Sequence, residues 1–209
     1  MDTTLIESMI AEICVEGDTE PELHDLLAVV ADREGVVVDS KDLKQGERFI
    51  GAYIEQVPYM IKVASTAASS VGIERQMKRI LQMVESYWLE GDDVIPDELG
   101  VIGLLDDAYC SLTSLQAVSD HYRLQTGKHL FPNDLSAANK AMRKIIGEPY
   151  ASELDRIVIK TMTETGLIEA MKSLADEEKR LNFEANSTIW SHGPVDELDI
   201  AGLKKLGLL

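Results

Sequence analysis

Six carboxylates lie between residues 92 and 107, in a stretch that also holds several apolar side chains. They are Asp92, Asp93, Asp97, Glu98, Asp106 and Asp107. Oxygen-rich clusters of this kind suit the hard cations Mg²⁺, Ca²⁺ and Mn²⁺, whereas Zn²⁺ prefers nitrogen and sulfur ligands. If the stretch folds over the start of the following helix, four carboxylates converge on one point and form a candidate metal site: Asp93, Asp97, Asp106 and Asp107.

Helix capping explains the same acidic residues without a metal. Asp92–Asp93 follows a helix end, where Asp side chains form turns with the backbone two residues further on. Asp97–Glu98 and Asp106–Asp107 lie in the first turns of predicted helices, where the helix dipole favours each exposed negative charge by about 0.3–1 kcal/mol. Because adjacent helical residues point about 100° apart, Asp106 and Asp107 cannot both face one ion.

A metal in this stretch would indicate a divalent-cation-dependent enzyme that acts on a phosphorylated or diphosphate substrate. All-α enzymes of isoprenoid diphosphates use Asp-rich motifs, and Asp92-Asp93 with Asp97 is superficially similar to one of them. However, Pro96 breaks the helix that such a motif needs, and no second motif is present. His24 lacks the upstream histidine of helical phosphohydrolases, and no Ser-His-Asp set or glycine-rich phosphate loop can be identified. No catalytic residue is therefore predicted.

The helices on either side of the acidic stretch determine where its carboxylates lie. Apolar residues at helical spacing predict one helix from Ile73 to Leu89 and a second from Leu104 to about Thr126, which Gly127 ends. The apolar residues between these helices are expected to anchor the turn against the core: Val94, Ile95, Leu99, Val101 and Ile102.

The order of residues in this helix–turn–helix resembles the YkvA-like family of small bacterial domains of unknown function. The matching residues are Tyr87, Asp93, Ile95, Pro96, Asp97, Gly103, Asp106 and Asp107. Gly91 and Gly100 stand where the family usually has Pro, which predicts a turn that is kept but looser. The resemblance covers only the stretch from Ile80 to Val118, and it implies a helical domain without an established reaction.

Helical periodicity continues on both sides of this stretch. Further helices are predicted near residues 2–17, 19–35, 40–56, 59–71, 133–146, 149–166 and 167–185, with a short amphipathic piece in 194–209. Pro58 is expected to end or kink its helix, because Pro lacks a backbone N–H and clashes with the preceding turn. The only strand-like run, Val36–Val38, is interpreted as an extended connector. The pattern predicts an all-α, multi-helix bundle of about eight or nine helices.

The predicted core of this bundle is the helix–acidic turn–helix at 73–127. It would carry an N-terminal helical extension, 1–72, and a C-terminal helical extension, 128–209, unless all three parts form one compact domain. Cys14 and Cys110 follow no metal or redox spacing and are expected to be free, buried thiols.

The formal net charge of −17 limits the classes of partner. It argues against nucleic acid and against an anionic membrane surface, since both need a basic footprint. It favours a solubilising surface, a basic protein partner or a cation. No apolar run reaches the roughly 18 residues that span a bilayer, and Met1-Asp2 begins a sequence without signal-peptide character. These features predict a cytoplasmic interaction or adaptor module, with the cation-dependent enzyme as the alternative.

Overall fold

Helices form nearly everywhere that the apolar periodicity predicts them. In the computed structural model, the described residues are 2–16, 19–89, 94–172 and 198–209. These ranges contain eight α-helices and two short 3₁₀ helices, and no β-strand occurs within them. The all-α prediction is confirmed.

Most helix ends lie near the predicted ones, but α6 begins after Leu135 without a side-chain cap rather than at the predicted Asn133 or Asp134. The α-helices are α1 Thr4–Glu16, α2 Thr19–Arg33, α3 Ser40–Val71, α4 Glu74–Leu89, α5 Leu104–Thr126, α6 Ser136–Ile146, α7 Tyr150–Glu164 and α8 Leu167–Lys172. The 3₁₀ helices are Asp97–Ile102 and Ala201–Lys204. Gly72 and Gly127 follow α3 and α5 with positive φ angles of 77° and 76°, a conformation that glycine adopts without steric strain. The predicted continuation of α8 to Ala185 lies outside the described residues.

Helix α3 runs through Pro58 as one helix of 32 residues. The separate helices predicted on either side of this proline are therefore wrong. Pro58 removes one helical hydrogen bond, but Val57 and Ile61 beside it are fully buried. Packing of both halves against neighbouring helices offsets that loss. The helix begins with a capping box, in which the Asp39 side chain accepts hydrogen bonds from the backbone N–H groups of Lys41 and Asp42 at 2.9 Å.

Helices α3 and α5 form the centre of the bundle. Helix α3 packs against α1, α2, α4 and the C-terminal 3₁₀ helix, while α5 packs against α4, α6, α7 and α8, and the two central helices contact each other. One cluster of buried apolar residues extends from Ile6 to Leu208. The three parts predicted from the sequence share this cluster, and their division at residues 72 and 127 stays a prediction. None of the described helices is long and apolar enough to cross a membrane.

The end of the chain docks where α3 lacks a side chain. A Cβ atom on Gly46 would lie 2.7 Å from Leu27 Cδ1 and 2.9 Å from Leu206 Cδ1, so a larger residue here would force these buried leucine side chains to shift. Lys205 Nζ donates to Asp42 Oδ1 at 2.9 Å beside this contact. The predicted amphipathic piece is confirmed in this position, because Leu203 and Leu206 are fully buried.

Two large apolar residues are exposed, and one of them, Leu99, was predicted to anchor the acidic stretch. Leu5 of α1 is 52% exposed and Leu99 of the 97–102 helix is 49% exposed. The other anchors of the acidic stretch behave as predicted: Ile95 and Val101 are buried, and Val94 and Ile102 pack partly buried against the core. Four of the five predicted anchors of the acidic stretch are therefore confirmed, and the prediction for Leu99 is wrong.

Candidate functional site

A buried carboxylate, Asp106, holds the acidic stretch in place. Its side chain is fully buried in the first turn of α5. Its Oδ2 accepts a hydrogen bond from the Ile95 backbone N–H at 2.9 Å and one from the Tyr87 O–H at 3.1 Å. Its Oδ1 accepts from the backbone N–H of Asp107 at 3.1 Å. We call the set Tyr87, Ile95 and Asp106 the clasp, because it ties the end of α4, the turn and the start of α5 together.

The clasp corrects the capping explanation for Asp106. Capping predicted an exposed charge that interacts with the dipole of its own helix, but α5 begins after Gly103 without a side-chain cap. Two of the three hydrogen bonds of Asp106 come from outside α5. Its carboxylate therefore joins three segments of the chain, which a spacing rule within one helix cannot reveal.

Gly100 shapes the segment between the clasp residues. Its φ of 62° and ψ of −127° interrupt the Asp97–Ile102 helix. Proline cannot adopt this conformation, because its ring fixes φ near −65°. The glycine at this place of the YkvA-like pattern is therefore more than a looser substitute for proline, since it allows a backbone conformation that proline excludes.

Burial dominates the electrostatics of the clasp. It raises the pKa of the Asp106 carboxyl above its ordinary value, and the hydrogen bonds from Ile95 and Tyr87 oppose that shift. Burial, together with the neighbouring Asp106 carboxylate, raises the pKa of Tyr87 well above its ordinary range. Tyr87 thus stays protonated and acts as a hydrogen-bond donor to Asp106.

The predicted metal ligands are only partly within the described residues. Asp93 and the side chain of Asp97 lie outside them. Asp106 and Asp107 are neighbours in α5 and are 0% and 1% exposed. In the described part of the chain, no group of three or more His, Cys, Asp or Glu side chains is placed to hold a metal ion. The site of Asp93, Asp97, Asp106 and Asp107 stays a prediction.

A second polar network connects α5, α6 and α7, and the sequence gives no signal for it. Tyr109 Oη donates to Asp155 Oδ1 at 2.7 Å, and Arg143 Nε donates to Asp155 Oδ2 at 2.8 Å. Arg143 also donates to Glu148 Oε1 at 2.9 Å, and these two carboxylates raise its pKa. Because the residues of this network lie on different helices or loops, no local spacing in the sequence predicts it.

A cavity of about 270 Å³ lies beside the clasp, between α4, α5 and α7. Tyr87 and Cys110 line it together with the hydroxyl-bearing Ser111 and Thr161. Cys110 is buried and forms no disulfide with another described residue, as predicted, whereas the side chain of Cys14 lies outside the described part of the chain. The Ser111 hydroxyl already accepts a hydrogen bond from Trp88 Nε1 at 2.9 Å. Ser86, Ser114 and Lys160 also line this cavity.

His24 has a structural partner rather than a metal-binding one. Its Nδ1 lies 2.9 Å from Glu47 Oε1, and the histidine side chain is 41% exposed. This pair connects the surfaces of α2 and α3.

Comparison of the chain with protein-family models gave no match, and comparisons with curated proteins and with solved structures gave none either. The resemblance to the YkvA-like family stays a prediction from the clasp and turn residues.

Proposed function

We propose that this chain is a cytoplasmic helical interaction module that binds a basic protein partner, and that the acidic turn serves as a structural clasp. The observation that carries the proposal is the burial of Asp106 and the use of its oxygens by three hydrogen-bond donors of the chain itself. An ionised carboxylate has about four lone-pair sites, so little capacity is left for a substrate or a cation.

An exposed acidic face on α2 is the surface that we assign to the partner. Glu22, Asp25 and Asp32 are exposed and follow helical spacing, so that they lie on one side of α2. Val29, which is 66% exposed, lies on the same side. In the described part of the chain, none of the three carboxylates has an ion-pair partner. We call these four residues the α2 face.

The α2 face lies beside the Asp97–Ile102 helix. Helix α2 contacts the Asp97–Ile102 helix. A Cβ atom on Gly100 would lie 3.5 Å from Glu22 Oε2, which shows how close the two segments are. The α2 face is therefore a negative surface with an apolar residue, Val29, on it. Such a surface fits a partner helix with basic residues around a small apolar contact.

A matched pair of variants tests this assignment. The probe is a fluorescein-labelled amphipathic peptide of Leu and Lys at helical spacing, measured by fluorescence anisotropy at physiological salt. The variant Asp25→Asn/Asp32→Asn neutralises the α2 face. The control Glu153→Gln/Glu164→Gln neutralises two exposed carboxylates on α7 and changes the net charge equally. At physiological salt, charges more than about 8 Å apart are largely screened.

We expect the α2 variant to bind the peptide about fivefold more weakly, since each exposed ion pair contributes about 0.2–1 kcal/mol. The α7 variant should bind as the unchanged protein does. Equal losses in both variants would show that only the net charge attracts the peptide, and the assignment of the α2 face would be wrong.

A further inference from the structure

Ser114 is a buried polar residue of α5 whose hydroxyl has no partner in the described part of the chain. The residue is 2% exposed, and no described group exchanges a hydrogen bond with its Oγ. A buried hydroxyl of this kind opposes folding, because it has lost its hydrogen bonds to water. Most buried polar groups in native proteins are hydrogen-bonded, so this exception requires an explanation.

The Ser114 hydroxyl opens into the cavity of about 270 Å³ beside the clasp. Residues of α4, α5 and α7 surround this cavity, and Ser114 is one of them. In the described part of the chain, Gln56 Oε1 also lacks a partner, but it is completely enclosed, whereas Ser114 Oγ keeps some accessible surface. Because Ser114 is otherwise buried, that surface faces the cavity that the residue lines.

Three other hydroxyl groups that line the cavity serve contacts within the chain. Tyr87 donates to the carboxylate of the clasp. The Thr161 hydroxyl donates to a backbone carbonyl of its own helix at 3.0 Å, and the Ser111 hydroxyl accepts from Trp88. Ser114 differs from them, because its hydroxyl stays available to a ligand.

The charges around the cavity indicate which ligand this hydroxyl meets. Lys160 of α7 lines the cavity and is exposed, and it has no ion-pair partner in the described part of the chain. Neither Asp nor Glu is among the described residues that line the cavity. In a chain with a net charge of −17, a site that presents a cation and no carboxylate favours an anion. The Ser114 hydroxyl therefore acts as a donor.

We propose that this cavity binds a small monocarboxylate with a short apolar tail. The carboxylate accepts a hydrogen bond from the Ser114 O–H and is attracted by the Lys160 ammonium group, while the tail packs against Met83, Val84 and Ile157 in the wall. The volume lies just below the roughly 300–1,000 Å³ of typical ligand sites, so a short tail fits and a large cofactor does not. The site is separate from the α2 face and does not depend on the proposed function.

Two probes of nearly equal shape isolate the carboxylate. Pentanoate and pentanamide have the same tail, but pentanamide carries a neutral amide in place of the charged group. For ligands of this size we expect a Kd on the order of 1 mM for pentanoate. Titrations up to about 20 mM at constant ionic strength and at about pH 7, where the carboxylate is ionised, cover that range. Backbone amide shifts in ¹H–¹⁵N NMR spectra should map to residues 83–87, 110–114 and 157–161.

Variants of Ser114 then connect binding to its hydroxyl. Pentanamide should bind the unchanged protein about tenfold more weakly than pentanoate, because hydrogen bonds to an ionised acceptor are the stronger ones. Ser114→Ala should weaken pentanoate binding about tenfold without lowering the thermal midpoint of the free protein, since the lost hydroxyl has no described partner. Ser8→Ala, an exposed serine of α1, is the matched control and should leave the affinity for pentanoate unchanged.

A second pair of variants tests the cation. Lys160→Gln should weaken pentanoate binding about threefold, as expected for one exposed ion pair, and should leave pentanamide binding unchanged. Lys140→Gln, an exposed lysine of α6 outside the cavity, changes the net charge equally and should affect neither probe.

The proposal is wrong if pentanoate does not bind over the titrated range, if both probes bind equally well, or if the shifts map elsewhere. It is also wrong if Ser114→Ala binds pentanoate as tightly as the unchanged protein does. A lower thermal midpoint of Ser114→Ala would show that the hydroxyl supports the fold instead. Equal losses in Lys160→Gln and Lys140→Gln would show that only the net charge affects the anion, and the assignment of Lys160 would be refuted.

Discussion

Removing the carboxylate of Asp106 tests whether the clasp holds the turn. In Asp106→Ala, the Ile95 N–H and the Tyr87 O–H lose their acceptor in a buried position. A buried unsatisfied donor costs about 1–3 kcal/mol. The variant no longer has to bury a carboxylate, and this gain offsets part of the loss. We therefore expect the free energy of unfolding to fall by about 2–4 kcal/mol. For a chain of 209 residues, this lowers the thermal midpoint by roughly 5–15 °C.

The isosteric variant Asp106→Asn should be milder. Its amide oxygen can still accept from Ile95 and Tyr87, while its NH₂ group would face the Asp107 N–H. We expect a loss of about 1 kcal/mol. Tyr87→Phe removes one of the three hydrogen bonds and should cost about the same.

The difference in stability between the unchanged protein and Asp106→Asn should depend on pH, in a direction that follows from the pKa of Asp106. Because burial raises the pKa of Asp106 in the folded state above its ordinary value of 3.8, the folded protein holds this proton more tightly than the unfolded chain does. The contribution of Asp106 to stability is therefore fully present below pH 3.8 and is lost as the pH rises through the folded-state pKa. The advantage of the unchanged protein over Asp106→Asn should shrink as the pH rises across this window.

Urea unfolding followed by circular dichroism, repeated in steps from acidic to neutral pH, measures these differences. Asp25→Asn, an exposed carboxylate on α2, is the control and should change stability by less than about 0.5 kcal/mol. The reasoning is refuted if Asp106→Ala is as stable as this control. An advantage of the unchanged protein over Asp106→Asn that grows with pH would refute the assignment of burial as the dominant effect on Asp106.

Three further predictions follow from other parts of the fold. Gly46→Ala should lower the free energy of unfolding by about 1–3 kcal/mol, because the added methyl group contacts Leu27. In the same helix, the added methyl group of Gly51→Ala meets open space, so this variant should raise the free energy of unfolding by about 0.5–1 kcal/mol. The urea midpoints of the two variants distinguish these outcomes. Tyr53→Phe should cost about 1–2 kcal/mol by the same measurement, because the Asn139 Oδ1 that accepts from Tyr53 at 2.7 Å loses its buried donor. An interaction module should show the same thermal midpoint in EDTA as in Mg²⁺, Ca²⁺ or Mn²⁺. A metal present at a hundred times its Kd would add about 2.7 kcal/mol to the free energy of unfolding. An ion-specific rise of the thermal midpoint that disappears in Asp106→Asn would establish the metal site instead.

Local sequence signals predicted the helices but not how far each one extends. Gly72, Gly127 and Gly147 end helices as expected, since positive φ is a local property of glycine. Pro58 is also a local signal, yet α3 continues through it because packing on both sides stabilises the helix. The exposure of Leu5 has the same origin, because the neighbouring helices decide which side of α1 is covered.

The candidate site was less predictable, because its contacts join distant parts of the chain. The acidic stretch and its apolar anchors could be identified, but the burial of Asp106 depends on how the turn folds back onto α5. The pairing of Tyr109 with Asp155 spans 46 residues and has no local signature.

The buried and the exposed carboxylates have different consequences for function. Asp106 contributes through internal hydrogen bonds, so its loss should act on the fold first and on binding only through the position of the turn. The carboxylates of the α2 face are exposed and should act on binding with little effect on stability. A cation-dependent enzyme would require the opposite, namely that the acidic turn be available to its ligands. Stability and binding measured on the same two sets of variants therefore separate an interaction module from an enzyme, even before a natural partner is identified.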